Sequence, residues 1–400
     1  MLKNLCLTTF AKTFSNSRFC YKYKRAVDIP PLGMIDDLLC IQKCSMSVTV
    51  NSAVNSFIET NKLQLGQSKC AQIHIGKYSD ICPKLKVHSH IMHKTKREKY
   101  LGDYITAKGN NKENITERVN KGYAIIGEIN NILTEIPLGR YRIDIGLKLR
   151  QAMFINATLF NSEAWHNVTT ADINRLEKVD KSLLRKILKC HSKSPLESLY
   201  LETGTLPLRF IVASRRILYL QTILKRNDNE LTKKVLLAQK KAPVKGDFIK
   251  LVESDSQNLG VNIENIEKIS KQGLKKIVRE KARTAALKFL SELKAKHSKV
   301  QNIIYKELAC QNYLKNIVFS NEEASLLFAL RTKTSKNFKA NFPNMNKYCI
   351  HCPLKCWGKG EEPIKDTQEH ILECKNLPEV RTNDIALEKV EYKHMQSIGN

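Results

Sequence analysis

The chain has 400 residues and a formal net charge of +28, because 67 Lys and Arg residues outnumber 39 Asp and Glu residues. This length can bury a substantial core in two or three domains. No apolar run reaches the 18 residues of a membrane span, which argues against a membrane partner. The positive charge predicts RNA or DNA as partners, with salt-sensitive binding. A lysine-rich surface that only maintains solubility is the alternative.

A double aspartate, Asp36-Asp37, lies between two apolar segments in residues 31–41. Apolar segments on both sides of a short polar turn predict a β-hairpin, with the two acids exposed at its tip. Two adjacent carboxylates at an exposed turn suit the Mg²⁺ site of a polymerase. An ordinary solvated turn is the alternative interpretation.

Two later segments extend this pattern. Residues 61–76 contain Ser68-Lys69-Cys70 followed by Ile73-His74-Ile75-Gly76, and residues 99–105 read Lys-Tyr-Leu-Gly-Asp-Tyr-Ile. Together with the double aspartate of residues 21–39, and in the same order, these segments resemble the palm motifs of reverse transcriptases from non-LTR retrotransposons of the LINE type.

The resemblance implies the site of an RNA-directed DNA polymerase. In this family the aspartate pair belongs to the Mg²⁺ site, and the next motif carries a characteristic lysine, here a candidate proton donor to the leaving pyrophosphate. The tyrosine-leucine-glycine hairpin grips the primer end. The implied residues are Asp36 and Asp37 as catalytic Mg²⁺ ligands, Lys69 as the proton donor, and Tyr100, Leu101 and Gly102 as the primer grip.

A long amphipathic helix is predicted further along the chain. Apolar residues recur at helical spacing through residues 173–188, and Thr169 and Asp172 are placed as a capping box. This pattern predicts a packed helix and not a site. Residues 176–185 and 199–204 also resemble the helical thumb and connection region of the same family.

A second helix, predicted in residues 274–293, combines an apolar stripe with a basic outer side. Residues 226–229 and 242–246 interrupt the helical pattern before it, and residues 332–347 look like a linker. A solvated helix without a ligand is the alternative. The candidate phosphate-binding residues on this helix are Lys275, Lys276, Arg279, Lys281 and Arg283.

Four residues near the C-terminus have the spacing of a closed tetrahedral zinc site, since Cys349-x2-Cys352 is followed after 17 residues by His370-x3-Cys374. Cys356 competes as a ligand, and chance clustering in a cysteine-rich tail is the alternative. The order of ligands also resembles the CCHC knuckle of retrotransposon proteins. A structural zinc ion here would stabilise a segment too small for its own core and hold a basic surface against RNA or DNA.

These assignments predict an α+β fold. We expect a small antiparallel palm-like sheet, then a mostly α-helical thumb and connection region, and finally a small zinc knuckle. The predicted domains are residues 1–110 for a partial palm, 111–226 for a helical thumb-like domain, 247–331 for a basic helical region and 345–380 for the knuckle.

The polymerase pattern is incomplete. Two-metal nucleotide transfer needs a third carboxylate, which the family takes from an earlier palm strand. Only 35 residues precede Asp36, and neither Glu59 nor Asp80 lies on a strand that fits this role in the family's order. The first 27 residues also suit a mitochondrial transit peptide, but residues 21–39 already belong to the palm-like segment. We therefore expect a nuclear or cytoplasmic fragment without polymerase activity of its own.

Two functions of different classes follow. The first is a truncated retrotransposon reverse transcriptase that binds nucleic acid and is active as a polymerase only if the true protein is longer. The second is a host-recruited RNA- or DNA-binding protein whose palm remnant is only a scaffold. In the second case binding survives Asp36→Ala and is lost when Cys349 and Cys352 are replaced by Ser. A product that never folds stably is a third possibility, because a palm sheet without its first strands exposes an edge.

Overall fold

The computed structural model describes residues 21–334 apart from short gaps. Helices make up most of this part and the strands form small sheets, so the predicted α+β class is confirmed. The gaps are residues 24–26, 30–31, 35–36, 42–43, 61, 63–65, 67–69, 76–82, 88–89, 136–140, 166–167, 298–299, 302 and 316–318. Outside the described residues lie Asp36, Lys69, Cys349, Cys352, His370 and Cys374.

The strands of the described part pair two by two. They are β1 (Tyr21–Tyr23), β2 (Val27–Ile29), β3 (Leu32–Met34), β4 (Asp37–Leu39), β5 (Ala71–Ile73), β6 (Lys86–Val87), β7 (His90–Ile91), β8 (His93–Thr95), β9 (Arg97–Tyr100) and β10 (Asp103–Thr106). The pairs β1–β2, β3–β4, β6–β7 and β9–β10 are antiparallel, whereas β5–β8 is parallel. The predicted antiparallel strand pair in residues 31–41 is present, because Leu32 lies opposite Leu39 and Met34 opposite Asp37. Asp37 was predicted at the tip of the turn but belongs to β4, because it pairs with Met34.

The described helices are α1 (Ser47–Thr60), α2 (Lys112–Glu135), α3 (Arg142–Leu149), α4 (Asn156–Thr158), α5 (Thr170–Leu188), α6 (Leu196–Thr203), α7 (Leu208–Leu224), α8 (Leu231–Lys241), α9 (Phe248–Leu259), α10 (Lys271–Lys294), α11 (Asn312–Lys315) and α12 (Asn321–Arg331). A π-helical turn, Arg150–Ile155, joins α3 to α4. The predicted interruptions at residues 226–229 and 242–246 are confirmed, because they separate α7 from α8 and α8 from α9. Within the described ranges, no helix combines the length and apolarity needed to cross a lipid bilayer.

The described residues form two compact units, each built from three stretches of the chain. The first unit draws on the described residues within 21–120, 159–174 and 212–278, and the second on those within 121–158, 175–211 and 279–334. One core cluster of the first unit lies along a single face of α1 and contains Val50, Val54, Phe57 and Ile58. The predicted domain boundaries stay predictions.

Helix α5 begins at the predicted capping box. The Thr169 hydroxyl accepts a hydrogen bond from the Asp172 N–H, and the Asp172 carboxylate accepts one from the Thr169 N–H, both at 3.1 Å. The predicted apolar stripe of this helix is buried, apart from the half-buried Ile173. Helix α3 approaches α5 closely at Gly146, where an added Cβ would lie 2.9 Å from Cγ2 of Ile187. Only glycine allows the two helices this contact.

Two acidic residues of α5 are as buried as its leucines. Asp180 accepts hydrogen bonds from Nε of Arg150 at 2.7 Å and Nη2 at 2.6 Å, and from the Tyr200 hydroxyl at 3.0 Å. Glu177 accepts two bonds from Arg209, at 2.9 and 2.8 Å. A buried carboxylate is stable only with such partners, because loss of hydration costs several kcal/mol per ion. Since Arg150 is the first residue of the π-helical turn, its ion pair also connects that turn to α5.

Replacing Arg150 by Met should lower the free energy of unfolding by about 3–5 kcal/mol, because Asp180 would stay buried without its cation. The matched control is Lys148→Met on the same helical segment, where the pair with Asp144 is exposed. That change should cost less than about 1 kcal/mol. Urea unfolding followed by circular dichroism measures both variants. Equal losses would show that burial does not set the strength of the Arg150 pair.

Candidate nucleic-acid interface

The predicted primer-grip residues form one tight turn in the first unit. Strands β9 and β10 are joined by Leu101-Gly102, and Tyr100 lies opposite Asp103. The φ angles of Leu101 and Gly102 are +48° and +88°. Two successive positive φ angles are typical of a type I′ turn, whose twist matches that of the two strands.

Leu101 is an unusual occupant of this turn. A left-handed conformation costs an L-residue roughly 1–2 kcal/mol, and turns of this type favour Asn or Gly instead. The side chain gains little burial in return, since the residue is 40% exposed. Backbone strain that the rest of the structure enforces often marks a functional contact. The tip therefore presents a strained, exposed apolar side chain.

The hairpin is attached to the first turns of α2. The Asn114 side chain accepts a hydrogen bond from the Tyr104 N–H at 2.5 Å and donates one to the Tyr104 carbonyl at 3.2 Å. Lys99 Nζ lies 2.8 Å from Glu117 Oε1. This hydrogen bond raises the pKa of Lys99 and lowers the pKa of Glu117. The Asn114 and Lys99 bonds together attach the hairpin to α2.

Arg118 of α2 contacts the tip directly. Its Nη2 atom donates to the Gly102 carbonyl and to Oδ1 of Asp103, each at 2.9 Å, and its side chain is 6% exposed. The guanidinium carbon lies 5.1 Å from the centroid of the Phe160 ring, which is within cation–π distance. The sequence motifs did not identify Arg118 or Phe160. The dipeptide Phe160-Asn161 could have indicated a turn at Phe160, because Asn tolerates the positive φ of a tight turn.

The predicted phosphate-binding residues lie on α10. Four of them are exposed: Lys275, Lys276, Arg279 and Lys281. Arg283 differs from these four, because it is half-buried and donates a hydrogen bond to the Leu308 carbonyl. The exposed cations are available to phosphate groups, whereas Arg283 contributes to packing at Leu308.

The predicted metal ligands are only partly covered by the structure. Asp37 is the first residue of β4, while Asp36 and the four predicted zinc ligands lie outside the described residues. In the part of the chain that the structure describes, no three His, Cys, Asp or Glu side chains are grouped closely enough to hold a metal ion. The Mg²⁺ and Zn²⁺ sites therefore stay predictions from the sequence.

Comparisons with family models, with curated proteins and with solved structures give no match to this chain. The resemblance to reverse transcriptases consequently rests on the sequence motifs. The geometry of the β9–β10 turn stands independently of that resemblance.

The type I′ geometry predicts opposite effects at two adjacent positions. Leu101→Asn should raise the free energy of unfolding by about 0.5–1 kcal/mol, because Asn-Gly favours this turn. Gly102→Ala should lower it by more than about 1 kcal/mol, since a Cβ there would lie 3.0 Å from Cε1 of Phe160 at a φ of +88°. Thermal and urea unfolding measure both changes. A loss of stability in both variants would contradict the assigned turn.

Proposed function

We propose that this chain is a nucleic-acid-binding relative of non-LTR retrotransposon reverse transcriptases, corresponding to the part of those enzymes between the double aspartate and the zinc knuckle. RNA and DNA are its partners. The observation that carries the proposal is the β9–β10 tip, where strained, exposed Leu101 occupies the turn that the family uses at the primer end. Nucleotide transfer by this chain alone is not part of the proposal.

Charge around the tip supports this proposal. Residues 93–120 contain seven Lys and Arg residues against four Asp and Glu residues. A local excess of positive charge attracts a polyanion and raises its association rate. The apolar tip adds a second kind of contact, because an apolar side chain can contact bases but not charged phosphates. Together these features fit a nucleic acid better than an uncharged or a cationic partner.

The exposed cations of α10 supply a second region of positive charge. Lys275, Lys276 and Arg279 lie within two turns of one helix. Cations at this spacing can contact successive phosphates, and each contact releases condensed counterions. Binding through these residues is therefore expected to weaken steeply as salt rises.

The charge on α10 can be tested by replacing Lys275, Lys276 and Arg279 together with Gln. The slope of log K against log salt for labelled RNA should become less negative by about 2–3, because about one phosphate contact is lost per cation. Fluorescence anisotropy across a salt series gives this slope. The matched control replaces Lys234, Lys241 and Lys245, which are also exposed, by Gln. Equal changes in both triple variants would mean that net charge alone drives binding.

The host-recruited binding protein remains the second candidate, and its support is the spacing of the proposed zinc ligands. The full chain should contain one zinc ion, and Cys349→Ser with Cys352→Ser should abolish it. Metal analysis beside RNA-binding measurements separates the candidates. Binding that disappears with zinc but survives Asp36→Ala favours the recruited protein. Primer extension on RNA with Mg²⁺ that Asp36→Ala abolishes would instead show a complete polymerase site.

A further inference from the structure

Phe160 is a half-exposed aromatic residue between strongly buried neighbours. The residue is 45% exposed, whereas Leu159 and Ser162 are 0% exposed. Arg215 donates hydrogen bonds to the Leu159 carbonyl and, at 3.2 Å, to Oγ of Ser162. Arg215 thus bonds to residues on both sides of Phe160 within the first unit. The ring is exposed on a turn that these bonds attach to α7.

The ring and the β9–β10 tip are connected through one carboxylate. Asp103 accepts a hydrogen bond from Arg118 at its Oδ1 atom and from Asn161 Nδ2 at its Oδ2 atom, both at 2.9 Å. Asn161 has a φ of +55°, which turns the chain directly after Phe160. Arg118 lies over the Phe160 ring and also binds the Gly102 carbonyl. The tip and the ring therefore have a fixed relative position.

The Phe160 ring lies against the turn that carries the exposed Leu101. An ideal Cβ on Gly102 would lie 3.0 Å from Cε1 of Phe160, so the ring contacts the turn that carries Leu101. Both side chains keep close to half of their surface exposed. Arg118 covers part of the ring, but Phe160 is 45% exposed and keeps ring surface for a ligand. An exposed ring beside an exposed apolar turn resembles in its chemistry the aromatic platforms on which unpaired bases stack.

We propose that Phe160 and Leu101 form a platform on which one unpaired nucleobase of single-stranded RNA or DNA stacks. This inference rests on the proposed nucleic-acid-binding function and names the form of nucleic acid that this site prefers. A base within a duplex already has both faces covered by its neighbours and cannot use the platform. The excess of positive charge in residues 93–120 attracts the phosphates on either side of the stacked base. Arg118 and Asp103 act as positioning residues for the platform.

The test uses the full chain and a short single-stranded oligonucleotide that contains 2-aminopurine. Phe160→Ala should weaken single-strand binding by about 5- to 150-fold, the range for loss of one stacked base. It should also remove the quenching of 2-aminopurine fluorescence, while duplex affinity stays unchanged. Phe160→Trp should retain both properties. The control is Tyr123→Ala, because Tyr123 is 47% exposed on α2 and lies outside the platform.

Phe160→Leu separates stacking from packing, because it keeps apolar volume against Gly102 but has no aromatic face. Single-strand affinity and quenching equal to those of the wild type in this variant would overturn the platform, even if Phe160→Ala failed to fold. Wild-type binding with the expected salt dependence but without quenching would also overturn it and leave the proposed function intact. Absence of any salt-dependent binding by the wild type would overturn the proposed function itself.

Discussion

Buried or partly buried pairs between arginine and a carboxylate are the interaction on which both units depend. The described residues contain five, at 2.6–3.1 Å: Arg118–Asp103, Arg150–Asp180, Arg209–Glu177, Arg216–Asp255 and Arg331–Glu202. Arginine suits this role because its planar, weakly hydrated fork can satisfy both carboxylate oxygens. Lysine pairs such as Lys148–Asp144 and Lys250–Glu253 are instead exposed. Because each pair is neutral overall, these arginines add no net charge to the interior of the described part, and exposed cations such as those of α10 are left for an anion to reach.

The Arg118–Asp103 pair contributes both to the packing of the first unit and to the candidate site. The Arg118 guanidinium makes three contacts: it neutralises Asp103, donates to the Gly102 carbonyl and lies over the Phe160 ring. Asp103 accepts from Asn161 as well, so the same carboxylate determines both the hairpin tip and the turn behind the ring. A site built this way loses little conformational entropy when a ligand binds, since its side chains are already ordered.

Local patterns could be predicted from the sequence, but contacts between distant residues could not. The Thr169–Asp172 capping box, the β3–β4 hairpin and the breaks around α8 depend on neighbours within a few positions, and all are present. The surroundings of Phe160 could not be predicted, because its ring contacts Arg118, which is 42 positions away in the sequence. The ion pair of Asp180 was not predicted either. Its position on the buried stripe of α5 could have indicated a partner, because acids are almost never fully buried unless paired.

Helix α10 shows how one apolar stripe can mislead a prediction of exposed charge. Its most buried residues recur every four positions: Leu274, Val278, Ala282, Ala286, Leu290 and Lys294. Because an α-helix has 3.6 residues per turn, a spacing of four moves the buried face by about 40° at each step. The side of the helix that carries Lys275 and Arg279 is therefore exposed in the first half of α10 but buried near Leu290. Arg283 lies on that side and bonds to the Leu308 carbonyl instead of facing solvent. A straight stripe predicts five equivalent cations, whereas the winding stripe separates Arg283 from the exposed four.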